Sequence, residues 1–341
     1  MELGVTTFAE TYPDPLTGKT ISHGERLRQV IAEAEMAEKV GLQVFAVGEH
    51  HRPDFAASTP ATLLAAIAAR TTTIRLSPAV TILSSDDPGR VYQQFATLDL
   101  ISEGRAELMV GRGSFVESFP LFGYSMADYD ELFAEKLDLL LAIRDNERVT
   151  WTGKFRAPLV DQPIYPRAQQ EPLPVWVAVG GTHQSIVRAG QRGLPVALAI
   201  IGGSPDRFAV FSKLHRRTLE DSGFDPRSVP LAVHMHGYIG EDTSQAADEY
   251  YPSYEVPMTK LGSERGWAAM TRQQYDMMRS PGGSLVIGDP RTVADKILHT
   301  REVLGVSRFM LHISVGTLPH DKVLRTIELL GTQVAALVAA G

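Results

Sequence analysis

Twice in this chain a short apolar run stops abruptly on ionisable residues and glycine. Val44-Phe45-Ala46-Val47 runs into Gly48-Glu49-His50-His51, and Ala106-Glu107-Leu108-Met109-Val110 runs into Gly111-Arg112-Gly113. Runs this short and this apolar read as strands buried on both faces, as in a parallel sheet. Where such strands close into a barrel, the chemistry sits at their C-terminal ends. The pattern restricts the chain to a parallel α/β architecture with a functional rim, and the expectation is an enzyme.

Strand-like and helix-like periods alternate along most of the remaining length. Candidate strands span 3–8, 44–47, 74–81, 106–110, 175–179, 195–201, 231–239 and 308–312. Helices follow at about 24–40, 60–69, 88–102, 129–146, 183–192, 205–222, 290–304 and 320–340. In the first helix Leu27, Val30, Ile31, Ala34 and Ala37 share one face, and Gly41 ends it. Ser58-Thr59-Pro60, and the run from Ser84 to Pro88, place caps and a proline ahead of the next two. Roughly eight strands, each followed by a helix, is the count that closes a (β/α)8 TIM barrel. A doubly wound open sheet is the structural alternative.

The whole chain, 1–341, reads as a single domain, with insertions near 114–128, 147–173 and 241–285. Loops that follow strands gather on the C-terminal face, so insertions are expected there, the first and last of them over the mouth. The last carries Tyr250, Tyr251, Tyr254, Trp267, Met270, Tyr275, Met277 and Met278. It is either a lid that excludes water or a helical hairpin packed on the barrel.

A formal net charge of -7 and the lack of a basic run argue against a nucleic-acid surface and for a small-molecule substrate. Cysteine is absent, which excludes disulfides, thiolate nucleophiles and cysteine-ligated metals. The first residues enter a candidate strand without the features of a signal sequence. No window approaches the ~18 consecutive apolar residues of a membrane span. A cytoplasmic setting with no membrane partner is expected.

Neighbouring side chains on an extended segment point to opposite sides, so only one of His50 and His51 faces the barrel axis. The other braces a loop or binds Glu49. An imidazole at this point donates a hydrogen bond or shuttles a proton near neutral pH; the plainer alternative is a loop cap. Arg112 between two glycines suits a phosphate or carboxylate, with a rim salt bridge to Glu107 or Glu117 as the alternative. After strand 175–179, Gly180-Gly181-Thr182 opens a helix, leaving free backbone N–H groups that suit a phosphate. A plain tight turn is the alternative, since the segment is neither a P-loop nor a dinucleotide fingerprint. His234 and His236 share one strand face and offer a metal pair, without HExxH or an acidic cluster beside them.

Taken together, these strand ends resemble the bacterial luciferase-like family of flavin-dependent oxidoreductases over nearly the whole chain. The matching stretches are Gly48 to His51, Leu76 to Leu83 with Asp87-Pro88, Gly111-Arg112-Gly113, Val177 to Thr182, and Gly288-Asp289-Pro290. The resemblance implies a (β/α)8 barrel that binds reduced FMN at its C-terminal face and passes one oxygen atom of O2 to an organic substrate. It implies that His50 lies near the reactive flavin edge. It also implies that Arg112, in its Gly111-Arg112-Gly113 turn, reaches the flavin phosphate, and that Gly180, Gly181 and Thr182 form the phosphate loop. A cis peptide at Ala79-Val80 beneath the ring is a further implication. The chain departs from luciferase at Val179-Gly180, where luciferase has a glutamate and a serine, so backbone donors are kept but side-chain contacts are not. It also has Gly111 where luciferase has a reactive cysteine, which argues against a light-emitting specialist.

The expected function is that of an FMN-dependent monooxygenase acting on a small, apolar or aromatic compound. A separate flavin reductase would supply reduced FMN, because no nicotinamide fingerprint is present. Deazaflavin-dependent hydride transfer in the same barrel is the alternative. Two other classes stand beside it: a metal-dependent hydrolase using His234 and His236, and a non-catalytic flavin-binding subunit. A homodimer is expected, packed through the Ala-rich helix near 61–69 and the helix bearing Val91, Phe95, Leu98 and Leu100.

Overall fold

Caps and prolines set where each helix starts, and so where each strand must end. Ser22 accepts a hydrogen bond from the Glu25 amide, and Asp87 and Asp289 cap helices whose first residues are Pro88 and Pro290. The computed structural model describes residues 1–341. Its barrel strands are β1 (Glu2–Thr7), β2 (Val44–Val47), β3 (Arg75–Pro78, continued by Thr81–Ile82), β4 (Leu108–Gly111), β5 (Val175–Val179), β6 (Val196–Ile200), β7 (Leu231–Ile239) and β8 (Arg308–His312). The helices that follow them are α1 (His23–Lys39), α2 (Pro60–Ala68), α3 (Pro88–Ile101), α4 (Tyr129–Asp145), α5 (His183–Gly190), α6 (Pro205–Asp221), α7 (Pro290–Leu304) and α8 (His320–Ala340).

All neighbouring barrel strands are parallel, in the order β3-β2-β1-β8-β7-β6-β5-β4. The ring closes where Thr81 and Ile82 pair with Val110 and Gly111, and where Leu76 bridges Ala106. This is a (β/α)8 barrel and not an open sheet. Strand β3 is interrupted at Ala79 and Val80, whose peptide bond is cis.

Outward-facing Val5, Phe45, Leu76, Val110, Val177, Leu198 and Phe309 pack beneath the helices in one continuous core. The barrel interior is filled differently at its two ends. At the lower end Arg308 bonds Glu2 at 2.7 Å and Glu107 at 2.6 and 2.9 Å, and lies 4.5 Å over the Trp176 ring. Met109, Met310, Ala197 and Ala232 form the next layer. Above them the inward positions on β3, β5 and β6 hold only small or short side chains, among them Ala79, Val80, Ala178 and Ala199, none of them fully buried.

Two of the three insertions follow strands and lie at the mouth; the middle one corrects the sequence reading. Residues 147–173 follow α4, so they leave from the opposite, N-terminal end. They form an antiparallel hairpin, Arg148–Trp151 with Leu159–Pro163, that climbs the outer wall. Its tip reaches the mouth level, where Lys154 pairs with Asp128 and Glu131 and Arg156 pairs with Asp87. The last insertion forms helices Thr243–Glu264 and Arg272–Met278 and a strand, Val286–Gly288, that pairs with the end of β7. Tyr250, Tyr254 and Tyr275 are buried in it against Tyr238, Leu285 and Val315, so these tyrosines are packing residues.

Side chains named for the expected dimer face divide between interior and surface. Val91, Phe95 and Leu98 point into the subunit's own core, leaving Leu100 and Ile101 exposed on α3. Helix α8 is long and apolar enough by composition to cross a membrane, although Arg325, Glu328 and Gln333 interrupt its apolar run. It lies between α1 and α7, with Val323, Ile327, Leu330, Val334 and Val338 buried.

Burial alone would push the Glu107 carboxyl up, but Arg308 and Arg75 hold it below its ordinary value. The stabilisation is therefore complete above the unfolded carboxylate range and is lost as pH falls through the depressed native value. Replacing Glu107→Gln leaves the buried Arg308 with only the half-exposed Glu2 as counter-charge and is expected to lower unfolding free energy by about 2–4 kcal/mol at pH 7. Urea unfolding at pH 7 and at pH 4 checks this: the gap from wild type should narrow at the lower pH.

Candidate active site

The end of β2 delivers two histidines to opposite sides of the chain. His51 Nε2 lies 2.9 Å from Glu49 Oε1, and Glu49 Oε2 accepts the Ile82 amide at 3.0 Å, tying the β2 loop to β3. His50 turns inward, its amide bonded to the Ala57 carbonyl at 3.0 Å. Its ring is surrounded by Phe8, Phe55 and Phe115, with centroids 4.6, 4.4 and 4.9 Å away. Phe8 packs over Gly48, where a Cβ would fall 2.2 Å from the ring, so no larger residue fits. Neither nitrogen of His50 has a protein partner. Burial, aided by His312, His51 and Arg52, pushes its pKa down to about 3, so the imidazole is neutral near pH 7.

Three more imidazoles continue this wall. His312, the last residue of β8, lies 4.2 Å from the Phe8 ring and 4.9 Å from the His236 ring. Its Nε2 lies 2.8 Å from Glu10 Oε1, and Glu10 Oε2 accepts the Ser314 hydroxyl at 2.7 Å. A carboxylate only accepts, so Nε2 carries a proton in this contact. His236 has an unpartnered Nδ1 and lies 5.9 Å from the Tyr254 ring, and burial holds its pKa well below the ordinary value. His234, lower on β7, approaches Thr6 Oγ1 at 3.2 Å through Nδ1. Burial, then His312 and Arg308, pushes it down to about 3. No group of three or more His, Asp or Glu side chains is placed to hold a metal ion. The sequence reading missed Phe8 and Glu10; the one available signal was their place just beyond β1, at the same rim.

Across the mouth the wall is low. Gly111 is buried beneath Val80, whose Cγ2 would lie 2.8 Å from a Cβ there, and above Gly180 a Cβ would meet nothing within 4 Å. Arg112 Nη2 donates to Thr182 Oγ1 at 3.2 Å, and Nη1 donates to Asp130 Oδ1 at 2.5 Å. Arg112 and the Gly180-Gly181-Thr182 turn thus face each other. The rim acid paired with Arg112 is Asp130, not Glu107 or Glu117: Glu107 lies at the far end of the barrel, and Glu117 pairs with Arg52 at 3.2 Å. Gly113 and Gly181 both have positive φ, +84° and +115°, and the Gly113 carbonyl accepts the Tyr129 hydroxyl. Thr182 precedes α5 without capping it, its hydroxyl instead bonding Ser185, so the first amides of that helix keep no side-chain cap.

The roof is made from three loops joined by ion pairs. Arg52, just after His51, bonds Glu264 of the last insertion at 2.7 Å and lies 4.5 Å over the Phe115 ring. Lys260 pairs with Asp54 at 2.5 Å, and Arg265 donates to the Ser114 carbonyl at 3.2 Å. An open depression of about 690 Å³ lies at the other end of the barrel, lined by Glu2, Arg75, Trp176 and Arg308. Its charged groups are the ion pairs that fill the lower interior.

A sequence model of the luciferase-like monooxygenase family matches residues 1–308. The chain belongs to this family, and the protein is a flavin-dependent oxidoreductase. Among relatives, an N-acetyl-S-alkylcysteine monooxygenase of Bacillus subtilis is 30% identical over 87% of this chain and 89% of its own length. An F420-dependent glucose-6-phosphate dehydrogenase of Amycolatopsis mediterranei is 32% identical over 45% of this chain and 48% of that one. Among solved structures, the monooxygenase RslO1 of Streptomyces bottropensis has a TM-score of 0.86 at 24% identity, covering 98% of this chain and 99% of that one. The oxygenating constituent of 3,6-diketocamphane monooxygenase from Pseudomonas putida, in complex with FMN, has a TM-score of 0.77 at 20% identity, with 98% of each chain covered. At these identities the two structures establish the shared fold.

The residues here fit a flavin. The low wall of Ala79, Val80, Ala178 and Gly180 leaves room for a flat ring system, and Arg112 beside Thr182 suits a phosphate tail. Because His50 is neutral in the folded chain and takes up a proton near its ordinary pKa when unfolded, it lowers stability as pH falls from about 6.5 to about 3. In His50→Phe, that group's share of the acid slope, about 1.4 kcal/mol per pH unit, should disappear. Denaturation at a series of pH values between these limits measures it.

Proposed function

We propose that the protein is an FMN-dependent monooxygenase that oxygenates a small organic substrate. The observation that carries this reading is Arg112 facing Thr182 at one side of a small-residue floor, with the neutral His50 across the mouth. Family membership supports it, as do the monooxygenase relative and the FMN complex of the same fold. A deazaflavin cofactor remains the second reading because some relatives are F420-dependent and the phosphate contacts serve either cofactor.

Bound in this site, reduced FMN supplies the electrons and the reactive ring at which O2 is activated. The protein's own groups do the rest. Arg112 and the first amides of α5 hold the phosphate, and the floor of Ala79, Val80, Ala178 and Gly180 lets the ring lie close to the backbone. His50, uncharged, offers one donor and one acceptor at the ring edge without adding charge to a buried chamber. His312 is held through Nε2 by Glu10, which fixes its ring beside Phe8 and His236. Arg52 holds the roof segments together and keeps water out. A separate flavin reductase supplies the reduced cofactor, and the chain works as a homodimer.

Anaerobic titration with reduced FMN is expected to saturate. Arg112→Ala should weaken FMN by about 10–100-fold, as loss of a charge-assisted contact does, while leaving riboflavin binding unchanged. His50→Ala should keep FMN binding and lose oxygen-dependent turnover. Saturable F420 binding in place of FMN would replace oxygen transfer by hydride transfer.

A further inference from the structure

On the side of the mouth away from Arg112, the chamber is a wall of rings. Phe55 and Phe115 flank His50, Phe8 joins His50 to His312, and His312 meets His236, with successive centroids 4.2 to 4.9 Å apart. Walls of this kind pair edge-on or offset with a flat partner and gain little from a flexible polar chain. The wall is not purely apolar, because both nitrogens of His50 and Nδ1 of His236 are buried without any protein partner. Buried polar atoms left unpaired cost about 1–3 kcal/mol each, so a ligand that completes them is favoured over a plain hydrocarbon.

The charges nearby are already matched. Arg52 is bonded to Glu264 and Glu117, Lys260 to Asp54, Glu10 to His312 and Ser314, and Glu49 to His51. An anion entering here would give up its water with no free cation to receive it, at a cost of several kcal/mol. Burial keeps His50 and His236 uncharged, so the imidazoles do not supply that cation either.

We propose that this half of the chamber takes an uncharged, flat aromatic compound whose polar groups are carbonyl or phenolic oxygens, hydrogen-bonded by His50 and His236. The proposal rests on the flavin reading, which gives the Arg112 half of the mouth to the cofactor. It separates this chain from two relatives whose named substrates carry an anion, glucose 6-phosphate and N-acetyl-S-alkylcysteine. The oxygens of the ligand replace the missing protein partners, and its ring replaces water against Phe8, Phe55 and Phe115.

Calorimetric titration of the full chain, with and without FMN, tests this using 1-tetralone, 2-naphthol, naphthalene, glucose 6-phosphate and N-acetyl-S-benzylcysteine. Tetralone and naphthol are expected to saturate, with the two anions at least about tenfold weaker. His236→Phe and His50→Phe keep a ring and remove its nitrogens. Each should weaken tetralone about three- to tenfold and leave naphthalene unchanged. Either variant alone suffices should the other fail to fold. The proposal is overturned if tetralone and naphthol do not bind, if either anion binds as tightly, or if the variants lower tetralone and naphthalene equally. FMN titration of the same samples reads separately: lost FMN binding with the ranking of the five probes intact counts against the flavin reading alone.

Discussion

Arg308 fills the lower end of the barrel, where two carboxylates and the face of Trp176 enclose its guanidinium. The interior of an eight-stranded barrel is only wide enough to be filled by side chains, so large residues in one layer leave room elsewhere only if other layers are small. Here the bulk of Arg308, Trp176, Met109 and Met310 lies low, and Ala79, Ala178, Gly180 and Ala199 lie high. The chamber is the volume those small residues leave. Glu107 on β4, Glu2 on β1 and Arg308 on β8 also tie the register of three strands to one charge match, because a slip would bury an unpaired ion.

The two halves of the mouth are built on opposite principles. Strands β3 to β6 contribute glycine and alanine, backbone amides and one arginine, which is what a flat cofactor with an anionic tail requires. Strands β7, β8, β1 and β2 contribute rings. Of the carboxylates on that side, Glu10 orients His312 and Glu49 holds His51, so each acts through an imidazole. His50 and His236, kept uncharged by burial, hold nitrogens without protein partners.

The barrel, and the meeting of Arg112 with the turn after β5, were legible in the sequence because they rest on local signals. Short apolar runs ending in glycine and charge, aspartate or serine ahead of proline, and glycine after helices each fix an element without knowledge of its neighbours. What was not legible depends on partners distant in sequence. Asp130 reaches Arg112 only because α4 begins beside β4, and Glu10 meets His312 only because the first and last strands are neighbours in a closed barrel. Tyr250, Tyr254 and Tyr275 have the same composition whether they cap a chamber or pack a satellite core, and Val91, Phe95 and Leu98 read equally as interface or interior.

The choice between oxygen and hydride chemistry turns on water, not on the phosphate contacts, which serve both cofactors alike. A reduced flavin that activates O2 must be kept from water and stray protons until substrate is beside it, whereas hydride transfer to a bound substrate makes no comparable demand. Arg52 links the β2 loop to the segments following β4 and β7, and beneath that roof His50 is ringed by Phe8, Phe55 and Phe115. A buried imidazole whose pKa lies near 3 neither attracts water as a cation nor releases a proton near neutral pH. The enclosure of His50 by three loops and by Phe8, Phe55 and Phe115 meets the more demanding of the two requirements.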